Sequence, residues 1–197
     1  MLALNLTPGP DMMYVIGRSI GQGRLAGVVS AMGIFTGCLV HILASAVGIS
    51  AILAYSATVF TIVKYAGAGY LIYLGVKAFT SKAYAHEITA SKKASLRACY
   101  IQGALTNALN PKVALFFLSF LPQFVSVESG HATLQLIGLG LIFDLSGSTV
   151  CAVVALVFGY AGARLISSKK FDKVRRYVSG SVFTALGIRL AFMKTGK

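Results

Sequence analysis

The feature that most constrains this chain is the run from Ala26 to Ala54, which holds no Asp, Glu, Lys or Arg and one histidine, His41. About 20 apolar residues suffice to cross the hydrocarbon core of a bilayer as a helix. Four further stretches meet that length or come near it: Val59 to Phe79, Tyr100 to Leu121, Leu134 to Ala163 and Tyr177 to Phe192. A sixth candidate, Met1 to Gly17, is short and interrupted by Pro8-Gly9-Pro10-Asp11. Composition agrees: 56% of the 197 residues are hydrophobic, 12% are charged, and the mean hydropathy is +0.78. An ordinary soluble domain carries about twice that share of charge. A soluble protein of this size could not cover its surface with so few charges.

The charges define an orientation. Lys and Arg number 18 against 5 acidic residues, a net charge of +13. They cluster between apolar stretches: Arg18 and Arg24; then Lys82, Lys92, Lys93 and Arg97; then Arg164, Lys169, Lys170, Lys173, Arg175 and Arg176. The segments Tyr55 to Thr58 and Pro122 to Thr133 carry none. Basic loops stay in the cytoplasm, so the alternation predicts six spans with both termini outside. Without a continuous basic face, the charge does not signal nucleic-acid binding. Met1 to Leu6 lacks a basic n-region, so no cleavable leader is expected. The three cysteines, Cys38, Cys99 and Cys151, form no C-x-x-C pair and signal neither a redox motif nor zinc.

One transmembrane domain over residues 1–197 is expected: a three-helix repeat over 1–80, a polar cytoplasmic linker over 81–99, and a second repeat over 100–197. Three spans per half forces the halves into opposite orientations, as in transporters built from inverted repeats. Short matches support the duplication. Lys64-Tyr65 parallels Arg176-Tyr177, and Leu74-Gly75-Val76-Lys77 parallels Leu186-Gly187-Ile188-Arg189, both at an offset of 112. Pro10-Asp11 parallels Pro111-Lys112 at an offset of 101, and Ile34-Phe35-Thr36 parallels Ile142-Phe143-Asp144.

The chemistry is expected at two proline motifs. In Thr7-Pro8-Gly9-Pro10-Asp11, two prolines without N–H groups flank a glycine and should break the helix. Such a break is tolerated at membrane depth only inside protein or beside water. Asp11 follows at once, and an intramembrane carboxylate is a functional-site hypothesis by default; the plainer reading is a cap on a short helix. The partner motif runs from Asn107 through Asn110 and Pro111 to Lys112. Lys112 stands where the repeat puts Asp11, so the two charges could pair across the bundle; otherwise Lys112 snorkels to the surface. Asp144, deep in the fifth span, either titrates, pairs or faces water; a structural hydrogen bond is the alternative. Thr36, its counterpart in the repeat, and His41, a candidate proton relay, are weaker candidates. A lone histidine on an apolar helix is more often simply packed. Most glycines read as helix-packing residues.

On these motifs the chain resembles the lysine exporter (LysE/RhtB) family of amino-acid efflux proteins. The resemblance runs through TPGPD, the following Arg18 to Gly27, Gly67 to Gly75, and Asn107 to Lys112. It implies a multi-pass protein of the bacterial inner membrane. The implied activity is export of small amino acids or related metabolites, such as homoserine, threonine or lysine, driven by protons and without a cofactor. Partners would be the amino acid, protons and membrane lipid, with room for a homodimer. It also implies that both proline motifs line the transport path. The family carries a longer apolar run before TPGP; only six residues precede it here, so a truncated first helix is expected. A membrane redox carrier would need cysteines in the two motifs, which have none. A structural subunit would not need prolines and carboxylates at membrane depth. Neither H-E-x-x-H nor G-x-S-x-G occurs, so no enzymatic machinery is visible.

Overall fold

A computed structural model describes residues 1–55, 57–80, 93–126, 129–161 and 169–192. Among them every regular element is helical: α1 (Leu2–Leu6), α2 (Pro10–Gln22), α3 (Arg24–Tyr55), α4 (Ala57–Thr80), α5 (Leu96–Ala108), α6 (Pro111–Leu115), α7 (Ala132–Ala161) and α8 (Lys169–Phe192). A π-helical turn, Phe116–Phe120, and a 3₁₀ turn, Leu121–Phe124, continue from α6. Most of the expected linker, 81–92, and the basic residue Arg164 lie outside the described residues.

Two described helices are long and apolar enough to cross a membrane alone, Arg24–Gly48 and Ala132–Tyr160. The pair Leu96–Ala108 and Pro111–Phe124, bent by 41°, makes a third if counted as one span. The expected single stretch Tyr100 to Leu121 is therefore a broken helix. It begins earlier than predicted, at Leu96, because the Ser95 side chain caps it by accepting from the Ala98 N–H at 3.2 Å. Helices α4 and α8, of 24 residues each, reach roughly 36 Å at 1.5 Å per residue.

The prolines explain both breaks. Pro10 opens α2 and Pro111 opens α6, each at the position where a missing N–H costs nothing. The residue before each is held extended, Gly9 at φ −144° and Asn110 at φ −78°, ψ 107°. The helix therefore stops and restarts in a new direction.

Packing relies on glycine notches. A Cβ on Gly33 would stand 2.1 Å from the Tyr100 carbonyl oxygen, and one on Gly37 2.3 Å from that of Ala104. These contacts run α3 parallel to α5 with backbones in direct approach. Gly27 against Ala155, and Gly159 against Arg24, run α7 antiparallel to α3. Helices α4 and α8 are antiparallel as well. Gly75 meets Thr184 and Gly180, while Gly187 meets Ile72 and Ala68. The counterparts 75 and 187, 72 and 184, and 68 and 180 are each 112 apart. Lys77 and Arg189 lie at opposite ends of this pair.

The reversals collect basic residues at one end. Gln22 exchanges hydrogen bonds with the Ala94 backbone, and Arg18 donates to Gln102, so the C-terminus of α2 meets the N-terminus of α5. Arg24 and Arg97 stand there too. Ser119 donates to the Val63 carbonyl at 3.1 Å, which sets the start of α4 at the far end and its C-terminus at the basic one. Arg176 donates to the Phe79 carbonyl and brings the start of α8 alongside. The far side of the breaks holds the buried aromatic cluster Phe116, Phe117, Phe120 and Phe143; the Phe116 and Phe143 rings stack at 4.5 Å.

Candidate functional site

Asp11 lies in the first turn of α2, just past the first break. Its Oδ2 accepts from Asn107 Nδ2 at 3.0 Å and from Asn110 Nδ2 at 2.9 Å. Both amides belong to the second break. Lys112 reaches the other way: its Nζ donates to the carbonyls of Leu4 and Thr7, each at 3.3 Å. Those carbonyls close the end of α1, where Leu4 also accepts from the Thr7 N–H at 3.2 Å. Each break thus supplies what the other lacks.

Lys112 does not snorkel, the alternative reading of it. Its residue is 8% exposed, and its ammonium rests 5.6 Å from the centre of the Phe183 ring. Nor does it pair directly with Asp11. The carboxylate is held by amides and the ammonium by main-chain oxygens, a geometry in which hydrogen bonds rather than ion contact offset burial.

Between them lies a cavity of about 40 Å³, lined by Asn5, Thr7, Asp11, Asn107, Lys112 and Asp144 among others. That volume admits water but not an amino acid. Asp144 is 2% exposed and accepts from Ser148 Oγ at 3.3 Å through Oδ1. Three buried oxygens on this cavity, Asp11 Oδ1, Asn107 Oδ1 and Asp144 Oδ2, make no hydrogen bond. Buried acceptors in this state are uncommon and need an explanation. All three accept and none donates, so the group that satisfies them is a donor: water, a proton or an ammonium.

The remaining predicted residues divide. Thr7 lines the cavity, and its Oγ1 donates to the Ala3 carbonyl at 2.5 Å. Pro8, Gly9, Pro10, Asn110 and Pro111 face a second, larger cavity on the other side of the breaks, and Lys112 borders both. The Pro8 carbonyl accepts from Ser179 Oγ at 3.1 Å. His41 lines neither cavity. Its Nε2 sits 2.9 Å from the Asn107 carbonyl, and its ring stacks on Phe117 at 6.0 Å, so it braces the second break. Thr36 is not brought to the site: its hydroxyl pairs with the Tyr100 hydroxyl at 2.6 Å on a lateral groove. Asn5, Cys38, Ser148 and Cys151 line the cavity and were not predicted. Asn5 had a signal, an amide within an apolar lead, and it donates to the Phe143 carbonyl and to Ser146. Ser148 stands one helical turn past Asp144. The cysteines had none beyond their small size, and both are free thiols.

Two broken helices that cross-brace one another around buried charges, in a bundle of apolar helices, define a membrane transport protein. The profile of LysE type translocators matches residues 2–194. The chain belongs to the LysE type translocator family; it is a transporter and not an enzyme. It is 32% identical over 193 residues to "Uncharacterized membrane protein YrhP" of Bacillus subtilis, covering 93% of this chain and 91% of that protein. It is 28% identical over 194 residues to the "Leucine efflux protein" of Salmonella typhimurium, covering 96% and 90%. A protein of the same name from Salmonella typhi matches equally. No solved structure matches.

Proposed function

We propose that this protein exports amino acids across the bacterial inner membrane by proton antiport, and that its substrates include apolar ones. The observation that carries the reading is the set of three unpartnered acceptor oxygens on one cavity beside Asp11, Asp144 and Lys112. An α-ammonium group has three N–H donors. The leucine efflux relatives favour an apolar side chain over the smaller polar substrates that motifs alone suggest.

The mechanism follows from the charges. The ammonium of the substrate takes the place of a proton on the acceptor cluster. When it leaves to the outside, Asp11 or Asp144 takes up a proton from that side and returns it inside. The exposed N–H groups at the start of α2 favour the substrate carboxylate. Alternating access comes from two inverted three-helix repeats in one domain of six spans. The 112-residue correspondence of the Gly75 and Gly187 contacts supports this, as do Lys77 and Arg189 at opposite ends. The basic end is the cytoplasmic one, by the excess of Lys and Arg there.

The test is efflux of leucine from preloaded vesicles under an imposed pH gradient. Asp11→Asn and Asp144→Asn should each impair proton-driven efflux while membrane insertion stays near normal, since a neutral isostere is cheaper to bury than a carboxylate. Wild-type rates with unchanged pH dependence in both variants would refute the coupling.

A further inference from the structure

The acceptor cavity, about 40 Å³, has room for water or an ammonium group and none for an amino-acid side chain. One of its walls therefore moves when a substrate enters. The apolar part of the wall is Met12, Ile34, Cys38, Val113, Phe143 and Cys151. Five of the six are buried and already committed to packing. Cys38, Val113 and Phe143 belong to the main core, where the Phe143 ring stacks on Phe116 at 4.5 Å and meets Phe117 edge-on at 5.5 Å. Ile34 and Cys151 belong to a second cluster with Val15, Ala31 and Ala155. Displacing any of these five opens a void in packed structure, and the cost grows with the space left behind.

Met12 is different. Among the described lining residues it is the one apolar side chain that is only half-buried. It packs at the edge of the small cluster built on Met13 and Ile16, to which Val154 and Phe158 of α7 also contribute. An unbranched thioether with three rotatable bonds changes shape at little cost and fills irregular gaps. Met12 also follows Asp11 directly in the first turn of α2. The adaptable part of the wall thus stands beside a carboxylate of the acceptor cluster, one residue away along the chain. A substrate whose ammonium sits on that cluster carries its side chain only a bond or two from it, within reach of Met12.

We propose that Met12 is the residue that selects the substrate's side chain: its thioether swings off the cavity onto the Met13 and Ile16 cluster, and an aliphatic side chain of about leucine's size takes the vacated space. The proposal rests on the transport reading above and adds to it the residue that sets the size of the amino acid carried. In an apolar pocket one methylene more or less changes discrimination by roughly tenfold or more, so a change of bulk at Met12 re-ranks the substrates.

The test is efflux from vesicles holding the whole purified protein, preloaded in turn with alanine, leucine or phenylalanine. The quantity compared is the maximal rate divided by the half-saturating concentration. Met12→Ala should raise phenylalanine relative to leucine about tenfold, with alanine changed by no more than about twofold. Met12→Phe should act in the opposite sense, lowering leucine relative to alanine about tenfold, and serves if Met12→Ala does not insert. Met13→Ala is the control for packing alone. Met13 is 8% exposed and is not among the residues lining the cavity, so this variant should lower the thermal midpoint in detergent and leave both ratios unchanged. Unchanged ratios in both Met12 variants, with export intact, would overturn the role of Met12 and leave the transport reading standing. A shift in Met13→Ala as large as in Met12→Ala would ascribe selection to the packing of α2 as a whole and also overturn it. Failure of the unmodified protein to export any of the three amino acids would overturn both.

Discussion

The two helix breaks look alike in sequence, a proline opening a new helix with a charged residue behind it, yet they are held in different ways. The second break is largely self-sufficient. Asn110 caps α6 by accepting from the Lys112 N–H at 3.0 Å, and the Asn107 carbonyl accepts from the Asn110 N–H at 2.8 Å, with His41 of α3 as its one brace from outside. The first has no side-chain cap, because its cap position is Gly9. Beyond one local bond, from the Thr7 N–H to the Leu4 carbonyl, its carbonyls are met from elsewhere, Leu4 and Thr7 by Lys112 and Pro8 by Ser179. The helices beyond the breaks differ in the opposite sense. The first break leads into a regular 13-residue helix, the second into a short helix and then π and 3₁₀ turns among aromatic rings. A break held by distant elements is sensitive to how those elements move; a self-capped one is not. The responsive element is therefore the stretch 7–9, and the fixed one is Asn110.

The sharpest way to break this comparison is Lys112→Met. It leaves the Thr7 carbonyl without its Lys112 donor, the Leu4 carbonyl with the Thr7 N–H alone and Asp11 without its nearest cation, a loss of about 3–5 kcal/mol. Thermal unfolding in detergent should show a large drop in midpoint, and efflux should vanish. Asn110→Ala comes next. It removes the α6 cap and one of two amides on Asp11, for about 1–2 kcal/mol. It should raise amide exchange at the start of α6 more than at the first turn of α2. Smallest is Ser179→Ala, which removes one hydrogen bond at about 1 kcal/mol and should raise exchange at α2 without touching α6. If Asn110→Ala destabilised more than Lys112→Met, the assignment of fixed and responsive breaks would be reversed.

Much of this was legible from sequence. The apolar runs gave the long helices because a continuous run with one histidine has few alternatives. The prolines gave the breaks because a missing N–H acts locally. The repeat suggested that Asp11 and Lys112 could pair; they border one cavity without direct contact, because whether a carboxylate takes an amide or an ammonium depends on side-chain reach across helices. Thr36 misled for the same reason, since its repeat position says nothing about Tyr100 one helix away. Arg175 read as one more basic loop residue, because only the antiparallel docking of α8 on α4 turns it inward. The π turn at Phe116–Phe120 left no sequence mark, as its cause is packing of large rings.

The glycine notches have a consequence for how the sequence can vary. At Gly33, Gly37 and Gly75 a single added carbon would stand 2.1 to 2.3 Å from a neighbouring oxygen, closer than any real contact, so one helix would have to retreat from its partner. At Gly21, Gly69 and Gly138 nothing lies within 4 Å. The same amino acid thus falls into two populations with different mutational tolerance. A library replacing each glycine in turn and selected for export should keep only glycine at the first three positions and a broad range of residues at the others. Within a chain so uniformly apolar, those few positions act as the checksum of helix register, where drift elsewhere is absorbed and drift there is not.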